Sequence, residues 1–384
     1  MKKIHGEREA LALARLRQLT ALESPSGDVA GLNEVRDALA ARWRELGLNV
    51  SIEPGAAGDH LVAEWTVPGS PGHVLLVTHY DTVWSVGELE RQPFKLAGDR
   101  ITGPGVFDMK SGIVAIELAL EELRASGRAP SLTVRIVCIA DEEVSSIDGR
   151  RVIESAAQGA LAVLGFEPAH PDGSFKSGRR GVARLVLRVT GRASHSGLAA
   201  SDGISAIDEL VDLLMVVRND APLDDDAAVN IGRISGGTRA NVVAGSAEAE
   251  IGLRFADAQS EQRLLDFFHS LRVHRDGAEL EVVTLSHRPA WAEDRSSWLT
   301  ELVVSTARAQ GEDVYARPAG GAGDTNFTGS VGIATLDGLG PRGGNAHAVG
   351  EWVSLSSLGQ RVDLLVDVLT NASLGLDGRD VSER

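Results

Sequence analysis

Short, unbroken apolar runs alternate with helical stretches through the first part of this chain, at residues 74–77, 136–140 and 161–166, with a helical pattern beginning at Ser111 between the first two. A strand that is apolar on both sides must be covered on both sides, and that is the situation of a parallel sheet sandwiched by helices. Ahead of these runs, Leu11, Leu13, Leu16, Leu19 and Leu22 recur at helical spacing, Ser24-Pro25-Ser26-Gly27-Asp28 interrupts them, and a second helix ends near Gly47. Towards the other terminus a helix over 297–309, an apolar run at 331–336 and a last helix over 355–369 resume the pattern. The expected fold class is α/β, a mostly parallel sheet flanked by helices.

Between these two stretches the periodicity changes. Residues 182–189 interleave Arg184 and Arg188 with apolar positions, and 247–255 interleave Glu248, Glu250 and Arg254, the alternation of an antiparallel sheet with one wet face. Helical patterns over 204–217 and 261–271 are read as lying between these strands. Two strands and two helices predict a compact α+β unit over 180–289, inserted into a larger domain formed by 1–179 and 290–384.

Lys and Arg number 38 against 54 Asp and Glu, a formal net charge of -16, which argues against a nucleic-acid partner. No apolar run approaches the roughly 18 residues of a membrane span. The first residues carry two lysines with no apolar stretch behind them, so no secretory signal is expected, and Cys138, the single cysteine, has no partner for an internal disulfide. A cytoplasmic location without membrane association follows as an expectation.

The apolar runs matter most for what closes them. His79-Tyr80-Asp81 follows the first, placing an imidazole and a carboxylate at i and i+2 on one side of a strand end. Asp141-Glu142-Glu143 follows the second and Glu167-Pro168 the third. Asp108 precedes the helix that Ser111 is expected to cap, and a glycine-rich turn from Gly338 delivers His347 after the run at 331–336. Taken singly, these read equally as a polar turn, a capping residue and a solvated acidic loop. The glycines around Asp108 match neither phosphate-binding spacing. Together they fall along the carboxyl edge of one sheet, where open α/β sheets bind ligands. Imidazoles and carboxylates without thiolate suit zinc, cobalt or manganese, and two such ions can share a bridging carboxylate.

These motifs resemble the M20 family of zinc metallopeptidases over the whole chain, and within it the glutamate carboxypeptidase branch. The resemblance implies two Zn2+ per subunit, with Co2+ or Mn2+ as substitutes. His79 and Glu167 are then ligands of the first ion, Glu143 and His347 of the second, and Asp108 bridges them. Asp81 orients His79, and Glu142 is the general acid/base. The inserted unit becomes a ferredoxin-like lid and dimerisation domain whose His195 reaches the partner subunit's site to polarise the scissile carbonyl. Asn241, Arg254 and Arg288 then grip a substrate carboxylate, and Gly321 offers backbone N–H groups. Thr78, where the family usually has glycine, and Ser196, where it usually has alanine, are departures that touch no ligand. The implied activity is hydrolysis of the amide between an acyl or peptidyl group and a C-terminal amino acid, glutamate or similar, by a homodimer. The alternatives are an N-acyl-amino-acid deacylase of the acetylornithine deacetylase or succinyl-diaminopimelate desuccinylase type, and a binding homologue without catalysis.

Overall fold

The structure is a computed structural model that describes residues 2–293 and 297–372. The chain forms two compact units: one from the described residues of Met1–Gly178, Glu293–Ala319 and Gly323–Arg384, the other from Arg179–Ala292 and Gly320–Ala322.

The sheet of the larger unit contains β1 (Asn49–Glu53), β2 (His60–Trp65), β3 (His73–His79), β4 (Thr133–Ile139), β5 (Ala160–Gly165) and, late in the chain, Thr335–Leu336, in the spatial order β1-β2-β4-β3-β5 and then Thr335–Leu336. The last four strands in that order run parallel, with Leu76 of β3 opposite Ile136 and Leu164. β1 and β2 run antiparallel to their neighbours, so the sheet is mixed rather than uniformly parallel. The reason is connection length: residues 54–59 are too few for the crossover a parallel pair requires, so β1 and β2 fold as a hairpin.

Both faces of β3 are buried, and successive residues enter different cores. Val74 and Leu76 pack in a cluster with Ile113, Leu120 and Leu364, while Leu75 and Val77 pack with Val137, Ile139, Val152 and Ile153. The first cluster is supplied by the helices Lys2–Ala21, Val29–Glu45, Ser111–Ala125 and Leu355–Asn371. Ser111 begins its helix but does not cap it. Residues 106–110 already coil ahead of it, with the Lys110 N–H donating to the Gly105 carbonyl, so Ser111 meets no open helix end and its buried Oγ has no hydrogen-bond partner among the described residues. Within that coil Asp108 and Met109 leave helical geometry and are joined by a cis peptide bond.

In the second unit the chain runs from β6 (Gly181–Thr190) through a helix (Ala206–Asp220), β7 (Ala227–Gly236), β8 (Ser246–Phe255) and a helix (Ala258–Ser270) to β9 (Glu279–Arg288). This is the βαββαβ order of a ferredoxin-like unit, with the antiparallel sheet arranged β7-β8-β6-β9. Four strands replace the two expected. β7 and β9 are the edges, and each carries a register shift, at Ile231/Arg233 and Thr284/Ser286, that disrupts strict alternation. Leu185, Leu187, Ile251, Leu253 and Phe255 of the inner strands meet Leu210, Leu213, Leu264 and Phe268 of the helices. The opposite face of the sheet carries Arg184, Glu250 and Arg254.

Candidate active site

In the larger unit, β3, β4 and β5 are parallel, with His79 level with Ile139 and Val77 level with Gly165, so their carboxyl ends lie side by side. His79 closes β3, Asp141 follows β4 and Glu167 follows β5. Asp108 enters through the interrupted coil before its helix, and His347 through a glycine-rich stretch that passes close to β5. Gly340 donates its N–H to the Glu167 carbonyl, and a Cβ there would lie 2.6 Å from that oxygen, so a side chain has no room.

His79 is buried and its two ring nitrogens face different surroundings. Nδ1 lies 3.1 Å from the Asp81 carbonyl and 3.3 Å from Asp81 Oδ1, two acceptors that favour a proton on Nδ1 and so turn Nε2 towards the site. Nε2 lies 3.2 Å from Asp108 Oδ1 and 3.5 Å from Glu167 Oε1. On the other side of Asp108, His347 Nε2 is 3.2 Å from Oδ2 and 3.1 Å from Glu143 Oε2. One carboxylate therefore stands between two imidazoles, each addressing a different oxygen. Ligand atoms of His79, Asp108 and Glu143 all fall within 4.8 Å of one another, as do those of His79, Glu142 and Glu167. Among the described residues, buried Glu143 Oε1 has no hydrogen-bond partner, a lone pair left open in the middle of the cluster.

The imidazoles and carboxylates of the cluster shift one another's basicity. Burial alone would lower the basicity of His79, but its hydrogen bonds to Asp108 and Asp81 raise it well above the usual histidine range. Hydrogen bonds to Asp108 and then Glu143 lift His347 to about 10. Burial pushes the Glu143 carboxyl up. Burial would raise Asp108 as well, yet the two imidazoles hold it below the ordinary carboxylate value. The crowded carboxylates thus favour positive charge at both imidazoles. Divalent cations supply such charge through the same lone pairs, and the donor set fits a dinuclear centre.

Asp81 lies deeper. Its carboxylate accepts from the Glu142 and Glu143 N–H groups at 3.2 and 3.1 Å and from Ser26 Oγ at 2.7 Å, so one residue positions both the imidazole and the acidic turn. Asp141, first of the acidic triplet, is a turn former: Oδ2 accepts from the N–H groups of Asp148 and Gly149, and its carbonyl accepts from Ser146.

Sequence reasoning missed Glu351. This buried carboxylate accepts the N–H groups of Phe107 (2.8 Å) and Asp108 (3.0 Å) on Oε1, and of Gly105 (2.8 Å) and the Trp84 indole (2.6 Å) on Oε2. It ties the segment bearing His347 to the one bearing Asp108. Its only sequence signal is an acid four residues after a histidine, which reads equally as a solvated side chain.

In the second unit, His195 is exposed, and its Nδ1 accepts the N–H groups of Gly197 and Leu198 at 3.1 and 3.2 Å. Nδ1 therefore carries no proton, and Nε2–H is left as an outward donor. Asn241 is adjacent, its carbonyl accepting the Ser196 N–H while His195 pairs with Val242. Arg254 and Arg288 both stand level with Val182, one on each side of it, so they share a row across the sheet. Arg254 is exposed and donates to the Gly320 carbonyl at 3.5 Å, while Arg288 is buried. Gly321 is exposed, its carbonyl held by Arg179.

Residues 75–371 match peptidase family M20/M25/M40. The chain belongs to that family. It is an M20-family metallopeptidase whose donor clusters suit a dinuclear metal cofactor. It is 27% identical over 383 residues to Carboxypeptidase G2 of Pseudomonas sp. (strain RS-16), covering 96% of this chain and 91% of that one. With succinyl-diaminopimelate desuccinylase of Thioalkalivibrio sulfidiphilus it shares 28% over 318 residues, 77% of this chain and 82% of the relative, and further desuccinylases match in the same range. Among solved structures, a tripeptidase from Staphylococcus aureus superposes with a TM-score of 0.75 at 20% identity, covering 95% of this chain and 99% of that one, a likeness of fold.

Proposed function

We propose that this M20 metallopeptidase is a dizinc amidohydrolase that splits the amide bond of an N-acyl amino acid bearing a free carboxylate. The observation that carries the reading is Asp108 set between His79 and His347 with Glu142 beside the same cluster. The recurrence of desuccinylases among the relatives favours the deacylase form over the glutamate carboxypeptidase form. Carboxypeptidase G2, matched over nearly the whole chain, supports the latter as the second reading.

His79 and Glu167 would hold one ion, His347 and Glu143 the other, and Asp108 both; such ions polarise a carbonyl and lower the pKa of water. Glu142 takes the proton of the attacking water and returns one to the departing nitrogen. Asp81 keeps His79 in its Nδ1–H form, and the Nε2–H of His195 donates to the carbonyl oxygen as charge develops on it. Arg254, with Asn241 and Arg288, engages the substrate carboxylate through the planar guanidinium fork, and Gly321 contributes backbone contact.

A homodimer through the second unit belongs to the same reading. β7 is an edge strand, and the helix Ala206–Asp220 exposes Ile207, Val211 and Met215 at i, i+4 and i+8, with Ile207 against Gly236 of that strand. The cytoplasmic location is likewise part of the proposal. Among the described residues no helix is long and apolar enough to cross a membrane.

The test is turnover by zinc-loaded protein on N-acyl amino acids and dipeptides, each with a free and an amidated C-terminus. The reading expects hydrolysis of the free acids and at least a tenfold loss on amidation. Absence of turnover across the panel, with zinc bound, would return the chain to the binding-homologue alternative.

A further inference from the structure

The turn that carries Glu142 adopts a backbone its own sequence does not favour. After the short coil Glu142–Val144, Ser145 and Ser146 both lie in the left-handed region, at φ 85° and 50°, although neither is glycine. Non-glycine residues persist there where surrounding contacts fix them. Ser146 is 1% exposed, its N–H donates to the Asp141 carbonyl, and its hydroxyl donates to Oδ1 of Asp324, a residue far along the chain. The Ser145 N–H donates to the Glu142 carbonyl at 2.9 Å, so the conformation of the two serines passes directly to the backbone of Glu142.

Asp324 is itself firmly placed. It is 3% exposed and belongs to the same unit as the turn. Its carbonyl accepts the Phe327 N–H, and the Gly323 N–H before it donates to Asn326 Oδ1 at 2.9 Å. The hydroxyl of Thr325 after it donates to Asp337 Oδ2 at 2.7 Å, and Asp337 directly follows the strand Thr335–Leu336 that pairs with β5. A run of hydrogen bonds and peptide links therefore leads from the sheet, through Asp337, Thr325 and Asp324, to Ser146. The amino side of the turn is tied separately, by Asp81 to the N–H groups of Glu142 and Glu143. Glu143 is held once more through its carboxylate, 3.1 Å from His347 Nε2. Loss of the Ser146 tie thus falls on Glu142 more than on Glu143.

We infer that Asp324 is a positioning residue for the proposed base: through the Ser146 hydroxyl it fixes the turn that aims Glu142, and it acts on turnover rather than on metal retention. The inference rests on the amidohydrolase reading, in which Glu142 moves the protons. It gives a role to the acid that closes the glycine-rich stretch 320–323, a stretch from which sequence reasoning drew only Gly321.

The experiment compares zinc-loaded wild type with Ser146→Ala, Asp324→Ala, the double variant and Asp324→Asn, which keeps an Oδ1 acceptor. Kinetics on an N-acyl amino acid that the wild type hydrolyses are read together with zinc content and hydrogen exchange of residues 141–149. Each alanine variant should lose about 10- to 100-fold in kcat, the scale of a misplaced catalytic group, with KM and zinc content near wild type. The double variant should lose no more than the worse single one, because both remove the same bond. Asp324→Asn should recover most of kcat, and exchange over 141–149 should rise in both alanine variants. Ser146→Ala removes one hydroxyl only, so it decides the matter if Asp324→Ala fails to fold. Unchanged kcat, a loss that merely follows lost zinc, or losses that add in the double variant overturn the inference. If the wild type hydrolyses nothing in the panel, a rise in exchange over 141–149 in both variants sustains the tie and removes the amidohydrolase reading. An active wild type with exchange and kcat unmoved in the variants does the reverse.

Discussion

Replacing Glu351 by Gln tests whether a residue that touches no proposed ligand atom sets the geometry of the centre. The carboxylate accepts four donors, two on each oxygen, and is 1% exposed. Glutamine keeps one carbonyl oxygen, so whichever way it sits two N–H groups face its NH2. The better orientation puts the nitrogen towards Gly105 and Trp84, because Trp84 is half-buried and its indole can turn to water. One buried backbone donor then goes unpaired and a second is partly compensated, at about 1–3 kcal/mol for a fully buried group, so the variant should lose about 2–4 kcal/mol. Asp108 is bonded through its own backbone N–H, so its carboxylate should wander, and zinc affinity should fall about 10- to 100-fold, as when other outer partners of a metal ligand are removed. Urea titration of the zinc-loaded protein and chelator competition measure the two effects. A variant with wild-type midpoint and wild-type zinc affinity would refute the clamp.

Three further outcomes are expected. Glu142→Gln should keep full zinc content by elemental analysis while kcat falls about 10²- to 10⁴-fold, the usual contribution of a positioned general base; near-normal turnover would move that role elsewhere. Mixing His195→Ala with Glu142→Gln protein should restore part of the activity if His195 serves the partner subunit, since one site of each hybrid has both groups; no recovery after verified subunit exchange would argue for a site complete within one chain. Glu209, fully buried in the second unit, would be raised by burial, but hydrogen bonds from His274 and Arg275 prevail and hold it below its ordinary 4.5. Its contribution to stability is therefore present above about pH 4.5 and disappears as pH falls through the lowered value. Thermal midpoints of wild type and Glu209→Gln should differ most at neutral pH and converge in acid; a constant gap would contradict the linkage.

Three of the proposed donors, His79, Glu143 and Glu167, stand out because each lies just past the end of an apolar run. A buried strand of Val, Leu and Ile announces itself, and an acid or imidazole at its carboxyl end is conspicuous against it, as with His79 after residues 74–77 and Glu167 after 161–166. The parts that sequence left hidden act through the backbone. Glu351 and Ser26 look like any surface acid and any loop serine, since their partners are main-chain N–H groups or a carboxylate distant along the chain. Edge strands were obscured for another reason. β7 and β9 each face one neighbour and shift register midway, so the period of two fades, and the antiparallel setting of β1 and β2 depends on a loop length rather than on any side chain.

The dependence of Asp108 on Glu351 also bears on when the molecule can acquire metal. On a ribosome, His79, Asp108, Glu143 and Glu167 emerge well before His347 and Glu351, with the whole second unit made in between. That unit has its own core and is able to fold as it appears. The larger one must wait: its sheet lacks the Thr335–Leu336 strand until residue 336 is made, and the loop bearing Asp108 lacks its clamp until Glu351 follows. Under the proposed reading, four donors without their fifth would make a weak and poorly shaped site. On the proposed ligand set, the order of residues along the chain delays tight metal capture until the segment from His347 to Glu351 has been made.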